Sequence, residues 1–219
     1  MLNYSSSEEN YLKAIYHLQA ETGKVTTNAL ADELNTRPAS ITDMMKKLSS
    51  KGLLNYKPYY GFSLSAEGRK AALIIIRRHR LWEFFLAEKL GFGWDEVHFV
   101  AEELEHVSSK KLIDKLDEYL GFPQFDPHGD PIPNSKGKIN TTVLVPLAEL
   151  PINQPAKVVR VANKSTQMLE LLGDKKIAIG SVIQVQKRFD FDGSLELRLK
   201  PSLTEIISEQ LAKNIFVQL

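Results

Sequence analysis

The sequence predicts a mainly α fold with a β-rich C-terminal end. Three observations predict it. Apolar residues recur at helical spacing in six segments between residues 7 and 119. A β-hairpin pattern interrupts them at residues 53–64. Beyond residue 155 the spacing changes to strand-like alternation.

The first helix is expected over residues 7–20. Tyr11, Leu12, Ile15, Tyr16 and Leu18 lie at helical spacing, Ser6 and Glu9 make a capping-box pattern, and Gly23 ends the segment. Thr26 or Thr27 caps a short second helix with Leu30, Ala31 and Leu34 inward. Thr36 or Arg37 opens a third, where Pro38 sits in the first turn and its missing N–H costs nothing. Ile41, Met44, Met45 and Leu48 form its buried stripe, and Gly52 ends it. Residues 53–56 and 62–64 read as short strands flanking the aromatic, basic turn Lys57-Pro58-Tyr59-Tyr60-Gly61. Helix, short helix, helix and hairpin, in that order, is the layout of a winged helix-turn-helix.

Ser65 caps a long fourth helix over residues 66–90, stopped by Gly91. Asp95 caps a fifth carrying Val97, Val100, Ala101 and Leu104, and Ser108 or Ser109 caps a sixth that reaches Tyr119. Residues 123–155 hold seven of the ten prolines, so a partly mobile connector is expected. Residues 156–161, 182–186, 195–199 and 215–217 alternate like strands between Gly-containing turns, which suggests a small β-barrel.

With 43% hydrophobic and 25% charged residues, the 219-residue chain has ordinary globular composition, which excludes a disordered tail or a fibre. The lack of cysteine excludes disulfides, a thiolate zinc site and a Cys nucleophile. The N-terminus has no apolar signal core, and the longest apolar run, residues 71–76, falls short of the ~20 residues of a membrane span. A soluble cytoplasmic protein is expected. The net charge of +1 hides a gradient: +5 over residues 1–80, −6 over 81–138 and +2 over 139–219. The basic third suits phosphates; the acidic third suits a cation.

In a helix-turn-helix the second helix of the motif enters the major groove, its first residues facing base edges. Here that helix begins at Pro38 and exposes Arg37, Ala39, Ser40, Thr42, Asp43, Lys46 and Lys47. Hydroxyls suit phosphates and base edges, and Ala39 suits a thymine methyl. Lys46, Lys47, Lys51 and, in the wing, Lys57 suit phosphate. Thr27 and Tyr60 complete the expected DNA-binding set. A protein-binding three-helix bundle would share this helix order.

The fifth helix carries Glu102, Glu105 and His106 at spacing i, i+3 and i+4, on one face. Alone, such a triplet is more often a solvated charged face. However, His79 and Glu83 are one turn apart on the preceding helix, and His98 precedes His106 by eight residues. Three of the five histidines thus fall among many carboxylates, whose mutual repulsion a cation would relieve. Oxygen and imidazole donors without thiolate suit Mn²⁺ or Fe²⁺, and Zn²⁺ or Co²⁺ would also bind.

These residues resemble the diphtheria toxin repressor and manganese transport regulator family of metal-dependent transcriptional repressors. The resemblance rests on residues 9–16 (Glu-Asn-Tyr-Leu-Lys-Ala-Ile-Tyr), residues 38–42, Arg77-Arg78-His79-Arg80-Leu81, Val97-His98 and the Glu102, Glu105, His106, Val107 set, and is good over residues 5–120. It implies a winged helix-turn-helix over residues 1–72, a helical dimerisation and metal-binding domain with a Pro-rich linker over 73–140, and an SH3-like β-barrel over 141–219. It also implies a homodimer that reads a palindromic operator with divalent metal as corepressor, no membrane and no small organic substrate. The family's primary metal site falls on Asn10, Glu102, Glu105 and His106. A second falls on His79, Glu83 and His98, with Gln167 and Glu170 the nearest SH3-like ligands. Iron-type members carry Met at position 10 and Cys at 102; manganese-type members carry Asp at 10 and a carboxylate at 13. Asn10 and Glu102 therefore favour Mn²⁺, with Fe²⁺ the alternative, while Lys13 cannot ligate. Two other classes remain open at this level: a metalloenzyme using the carboxylate–histidine cluster, disfavoured because no separate base or substrate loop is evident, and a winged-helix regulator sensing an organic ligand.

Overall fold

A computed structural model of the chain describes residues 4–23, 25–57, 61–139, 143–162, 165–200 and 203–219. The chain divides into two compact units.

The first unit comprises Met1–His79, Glu102–Glu118 and Pro133–Ile139. Its helices are α1 (Ser6–Thr22), α2 (Thr27–Glu33) and α3 (Pro38–Ser50), followed by strands β1 (Leu54–Lys57) and β2 (Gly61–Leu64). β1 and β2 pair antiparallel in the register Leu54↔Leu64 to Lys57↔Gly61. This is the helix–helix–helix–hairpin order expected of a winged helix-turn-helix. Leu12, Ile15, Leu30, Ile41, Met45, Leu48, Leu53 and Ile75 are fully or almost fully buried and form one cluster. The stripe is narrower than expected: Leu34 and Met44 are only partly buried at its edge.

The capping box of α1 falls one residue earlier than expected. Ser5 is the N-cap, its Oγ accepting from the Glu8 N–H, while the Glu8 carboxylate accepts from the Ser5 N–H. Ser6-Glu9 has the same spacing, but Glu9 is committed elsewhere, to Arg78 and His106. Thr26 rather than Thr27 caps α2, and Arg37 is the N-cap of α3 with Pro38 at its start.

The long helix α4 (Ala66–Leu90) has the expected bounds. Gly68 near its start packs against backbone: a Cβ there would lie 2.0 Å from the Leu53 carbonyl oxygen. Two further helices are α5 (Val97–Leu104) and α6 (Lys110–Tyr119). α5 begins two residues after the expected cap, because residues 94–96 form a turn in which the Glu96 carboxylate accepts from the Gly93 N–H.

The second unit comprises Arg80–Ala101, Tyr119–Ile132 and Asn140–Leu219. It contains β3 (Val145–Pro146), β4 (Pro155–Val161), α7 (Thr166–Asp174), β5 (Val182–Arg188), β6 (Leu195–Leu199), β7 (Leu203–Ile207), α8 (Glu209–Lys213) and β8 (Ile215–Gln218). The six strands form one antiparallel sheet in the order β3-β8-β4-β5-β6-β7. Register shifts at Val158/Arg160 and Val185/Lys187 are the irregularities that bend such a sheet around its core of Val158, Val161, Leu169, Leu172, Ile183, Val185 and Leu197. Four of the strands fall where alternation predicts them. β7 carries Leu203 and Ile206 exposed, so its pattern lacks a clean inward face, and the sequence reading passes over it and over α7.

The Pro-rich connector is more ordered than expected. Asp126 Oδ1 accepts the backbone N–H groups of His128 and Asp130, each at 2.9 Å, and Phe125 bridges Pro131. The His128 carbonyl accepts from the Val161 N–H of β4. Gly129 is required here: its φ is +85°, and a Cβ would lie 1.8 Å from the Val159 carbonyl oxygen. Gly129→Ala is expected to destabilise the protein by about 3 kcal/mol or more, from backbone strain plus the clash. Urea denaturation followed by circular dichroism checks this; a loss below about 1 kcal/mol, the size of an ordinary substitution, would show that the turn is not rigid.

Candidate functional site

One cluster of ionisable groups lies in the first unit. Glu105 is fully buried. Its Oε1 and Oε2 accept from Lys13 Nζ at 2.7 and 2.9 Å, and Oε2 also lies 2.7 Å from His79 Nδ1. An ionised carboxylate only accepts, so His79 Nδ1 carries the proton of that contact. Burial opposes ionisation of Glu105. The His79 hydrogen bond and the Lys13 charge outweigh it and hold the carboxyl below its ordinary value. Lys13 also reaches Glu102 Oε1 at 3.3 Å. His106 Nδ1 lies 2.8 Å from Glu9 Oε2, and Glu9 Oε1 accepts from Arg78. Thus α1 is tied to residues 102–106 through Glu9 and Lys13.

α1 is also tied to α3. The buried Glu8 carboxylate accepts from Lys51 at 2.6 Å and pairs with Lys47 at 3.1 Å. Burial pushes the Glu8 pKa up, but hydrogen bonds from Lys51, the Ser5 N–H and Lys47 bring it down to about 2.

A second cluster lies in the second unit. Oxygen or nitrogen atoms of Glu83, Asp126 and His128 lie within 4.8 Å of one another, and all three residues are buried. His128 Nε2 is 2.7 Å from the Trp94 carbonyl oxygen. A carbonyl only accepts, so Nε2 carries the proton and Nδ1 holds the ring's lone pair. Nδ1 faces Glu83 Oε2 and Asp126 Oδ1, each 3.9 Å away. Two carboxylates and an imidazole nitrogen in a dry setting fit a divalent cation of borderline or hard character. His98 Nδ1 adjoins the same Glu83, at 3.3 Å.

The residues expected to face nucleic acid lie at the start and on the outer face of α3. Arg37, Pro38, Ala39, Ser40, Asp43, Lys46 and Lys47 are exposed, and Thr42 is half-exposed with its hydroxyl donating to the Pro38 carbonyl.

Three segments of the chain match known domain families. Residues 3–62 match the N-terminal DNA binding domain of iron dependent repressors, and residues 65–134 their metal binding and dimerisation domain. Residues 145–219 match the FeoA domain. The iron-dependent repressor IdeR of Mycobacterium leprae is 31% identical over 158 residues, which is 69% of this chain and 69% of that protein. The chain belongs to the iron-dependent repressor family. It is a metal-dependent, DNA-binding transcriptional repressor of mixed α and β structure. A solved structure described as a manganese-dependent transcriptional repressor in complex with manganese is 35% identical, covering 96% of this chain and 98% of that one with a TM-score of 0.86. The HTH-type transcriptional regulator MntR of Oceanobacillus iheyensis is 33% identical over 116 residues, 53% of this chain and 78% of that protein. Among the described residues no helix of the repressor is long and apolar enough to cross a membrane.

The repressor brings some expected site residues together and leaves others apart. Lys13 joins Glu102 and Glu105, and Glu105 is bonded to His79 and lies 3.9 Å from His106 Nε2. Asn10 is exposed and lines a cleft with Ser7, Thr36, Ser40 and Asp43, while its neighbour Glu9 is the α1 carboxylate that reaches His106. Lys47 and Lys51 were expected on phosphate; here both are paired with Glu8. Thr27 is half-buried beside the Thr26 cap. Tyr60 and the Lys57 side chain lie outside the described residues. Gln167 and Glu170 are exposed on α7, whose buried face is Leu169 and Leu172.

Asp126 and His128 are the residues that sequence reasoning missed. Their signal is the Asp126-Pro127-His128-Gly129-Asp130 string, an acid and an imidazole two residues apart in a turn.

Proposed function

We propose that the repressor takes Mn²⁺ as corepressor, with Fe²⁺ the alternative, and that metal couples α1 to the recognition helix. The observation that supports this best is the pair of attachments on α1. Glu8 holds Lys47 and Lys51 at the far end of α3, while Glu9 and Lys13, on the same helix, hold His106, Glu102 and Glu105. A change at residues 102–106 therefore reaches the recognition helix through a single rigid element.

The primary ligand set is Asn10, Glu102, Glu105 and His106, three oxygen donors and an imidazole without thiolate. A second set draws on Glu83, Asp126 and His128, with His79 one turn before Glu83 on α4 and His98 at its Glu83 contact. A divalent ion supplies charge neutralisation for these acids and a link from Asn10 on α1 to the end of α5. Glu105 stays oriented by His79, and His106 by Glu9. Metal favours the DNA-competent arrangement only by binding that arrangement more tightly.

The exposed residues Arg37, Ala39, Ser40, Thr42, Asp43 and Lys46 face base edges and phosphates, joined by Thr27, Pro38, Lys47, Lys57 and Tyr60. Two-fold symmetry of a homodimer implies a palindromic operator read in successive major grooves. On this reading residues 1–72 bind DNA, 73–140 dimerise and bind metal, and 141–219 are the SH3-like domain of a cytoplasmic regulator with no organic substrate. The test is fluorescence anisotropy on the promoter of the protein's own gene or of neighbouring transporter genes, with Mn²⁺, with Fe²⁺ and with chelator. Tight binding with metal and weak binding with chelator is expected; equal binding in all three sinks the proposal.

A further inference from the structure

The ammonium of Lys13 sits among the carboxylate oxygens assigned above to the metal. It is 2.7 and 2.9 Å from the two oxygens of Glu105 and 3.3 Å from Glu102 Oε1. The Lys13 side chain is 15% exposed and that of Glu105 is 0% exposed, so their attraction is little screened by water. Glu105 is the shielded carboxylate and Glu102, 49% exposed, stands at the edge of the site; two carboxylates this close favour a positive charge beside them, and Lys13 supplies one from within the chain. An ammonium and a divalent ion on the same carboxylate oxygens would lie within about 4 Å of each other and repel strongly in such a setting. Both cannot hold Glu105 in this way.

We propose that Lys13 is a built-in competitor for the metal: its ammonium holds Glu102 and Glu105 together, and a divalent ion gains both carboxylates only by displacing it. Lys13 thereby sets the metal concentration at which the repressor responds. Displacement leaves Glu105 oriented by His79 Nδ1, so the carboxylate changes partner without losing its position. It also exchanges one attachment between α1 and residues 102–105 for another, which makes Lys13 part of the switch. The inference rests on the metal reading of Glu102, Glu105 and His106 given above.

The test uses the full-length protein and Mn²⁺ alone. Calorimetric titration identifies the binding step that disappears in Glu105→Ala. In Lys13→Met, which keeps the length of the side chain and removes its charge, the Kd of that step is expected to fall at least tenfold. In Lys13→Arg, which keeps the charge and can grip a carboxylate with two N–H groups, it is expected to stay the same or rise. A second measurement needs no variant. Acetylation of amines in the wild-type protein, read by peptide mass spectrometry, should find Lys13 protected without metal and reactive at saturating Mn²⁺. An unchanged Kd in folded Lys13→Met, or a Lys13 that stays protected at saturation, overturns the proposal while leaving the metal site intact. Absence of Mn²⁺ binding in the wild type and both variants removes the metal reading and this inference with it.

Discussion

Glu105→Ala is expected to abolish metal-dependent operator binding and to lower stability by about 3–5 kcal/mol. The size follows from what the carboxylate holds. Glu105 is fully buried and accepts from both Lys13 and His79. Removing it leaves an ammonium and an imidazole without their buried counter-charge, a heavier loss than that of an exposed pair. His106→Ala separates the two effects. His106 is half-buried, and its loss costs one contact to Glu9, about 1 kcal/mol, yet should cost the metal response just as fully. Urea denaturation gives the stability term, and anisotropy against operator with rising Mn²⁺ gives the functional one. A Glu105→Ala protein that still tightens on DNA when Mn²⁺ is added would show that residues 102–106 are not the responsive site.

Acid is expected to loosen the attachment of α1 to α3, and only at a pH below that which protonates an ordinary carboxylate. Glu8 has its folded pKa lowered from 4.5 to about 2. A depressed carboxylate stabilises the fold above its unfolded value, and that stability is lost as pH falls from about 4.5 through about 2. The shift corresponds to something on the order of 3 kcal/mol at neutral pH. Glu8→Gln keeps the shape and loses the charge that Lys47 and Lys51 seek. Its stability at pH 7 should be lower than that of the wild type by up to that amount, and the gap should close by pH 2. Urea midpoints at pH 7, 4 and 3 for both proteins check this. A gap that does not change with pH would mean that Glu8 contributes shape rather than charge.

Much of the winged helix was legible because local signals and tertiary demands agree there. Pro38, the Ile41–Leu48 stripe and Gly23 each point to the boundary that the structure has. At the start of α1 two serine–glutamate pairs offered the same local signal. Distant partners decided between them, since Glu9 is claimed by Arg78 and His106. The proposed metal residues divide along the same line. Glu102, Glu105 and His106 could be found from their i, i+3 and i+4 spacing, although α5 ends at Leu104 and leaves Glu105 and His106 in the turn that follows rather than on the expected helix. Asp126 and His128 could not, because their partner Glu83 is some forty residues away and helical periodicity is silent in a Pro-rich turn. Lys13 was legible as a residue that cannot ligate; that it stands on the oxygens of a proposed ligand depends on a contact across 92 residues.

Four successive residues of α4, Arg77, Arg78, His79 and Arg80, are all buried, and each has its own acidic partner: Asp117, Glu9, Glu105, and the Asp126/Asp130 pair. Successive helical residues point about 100° apart, so the four together fix the rotational phase of the helix. Inserting or deleting one residue upstream within α4 would swing every one of them to a neighbour's partner or to none. A single substitution costs one pairing, whereas a frame change of one residue costs all four at once. In this stretch of α4 a change of length is therefore a heavier physical fault than a change of any one residue.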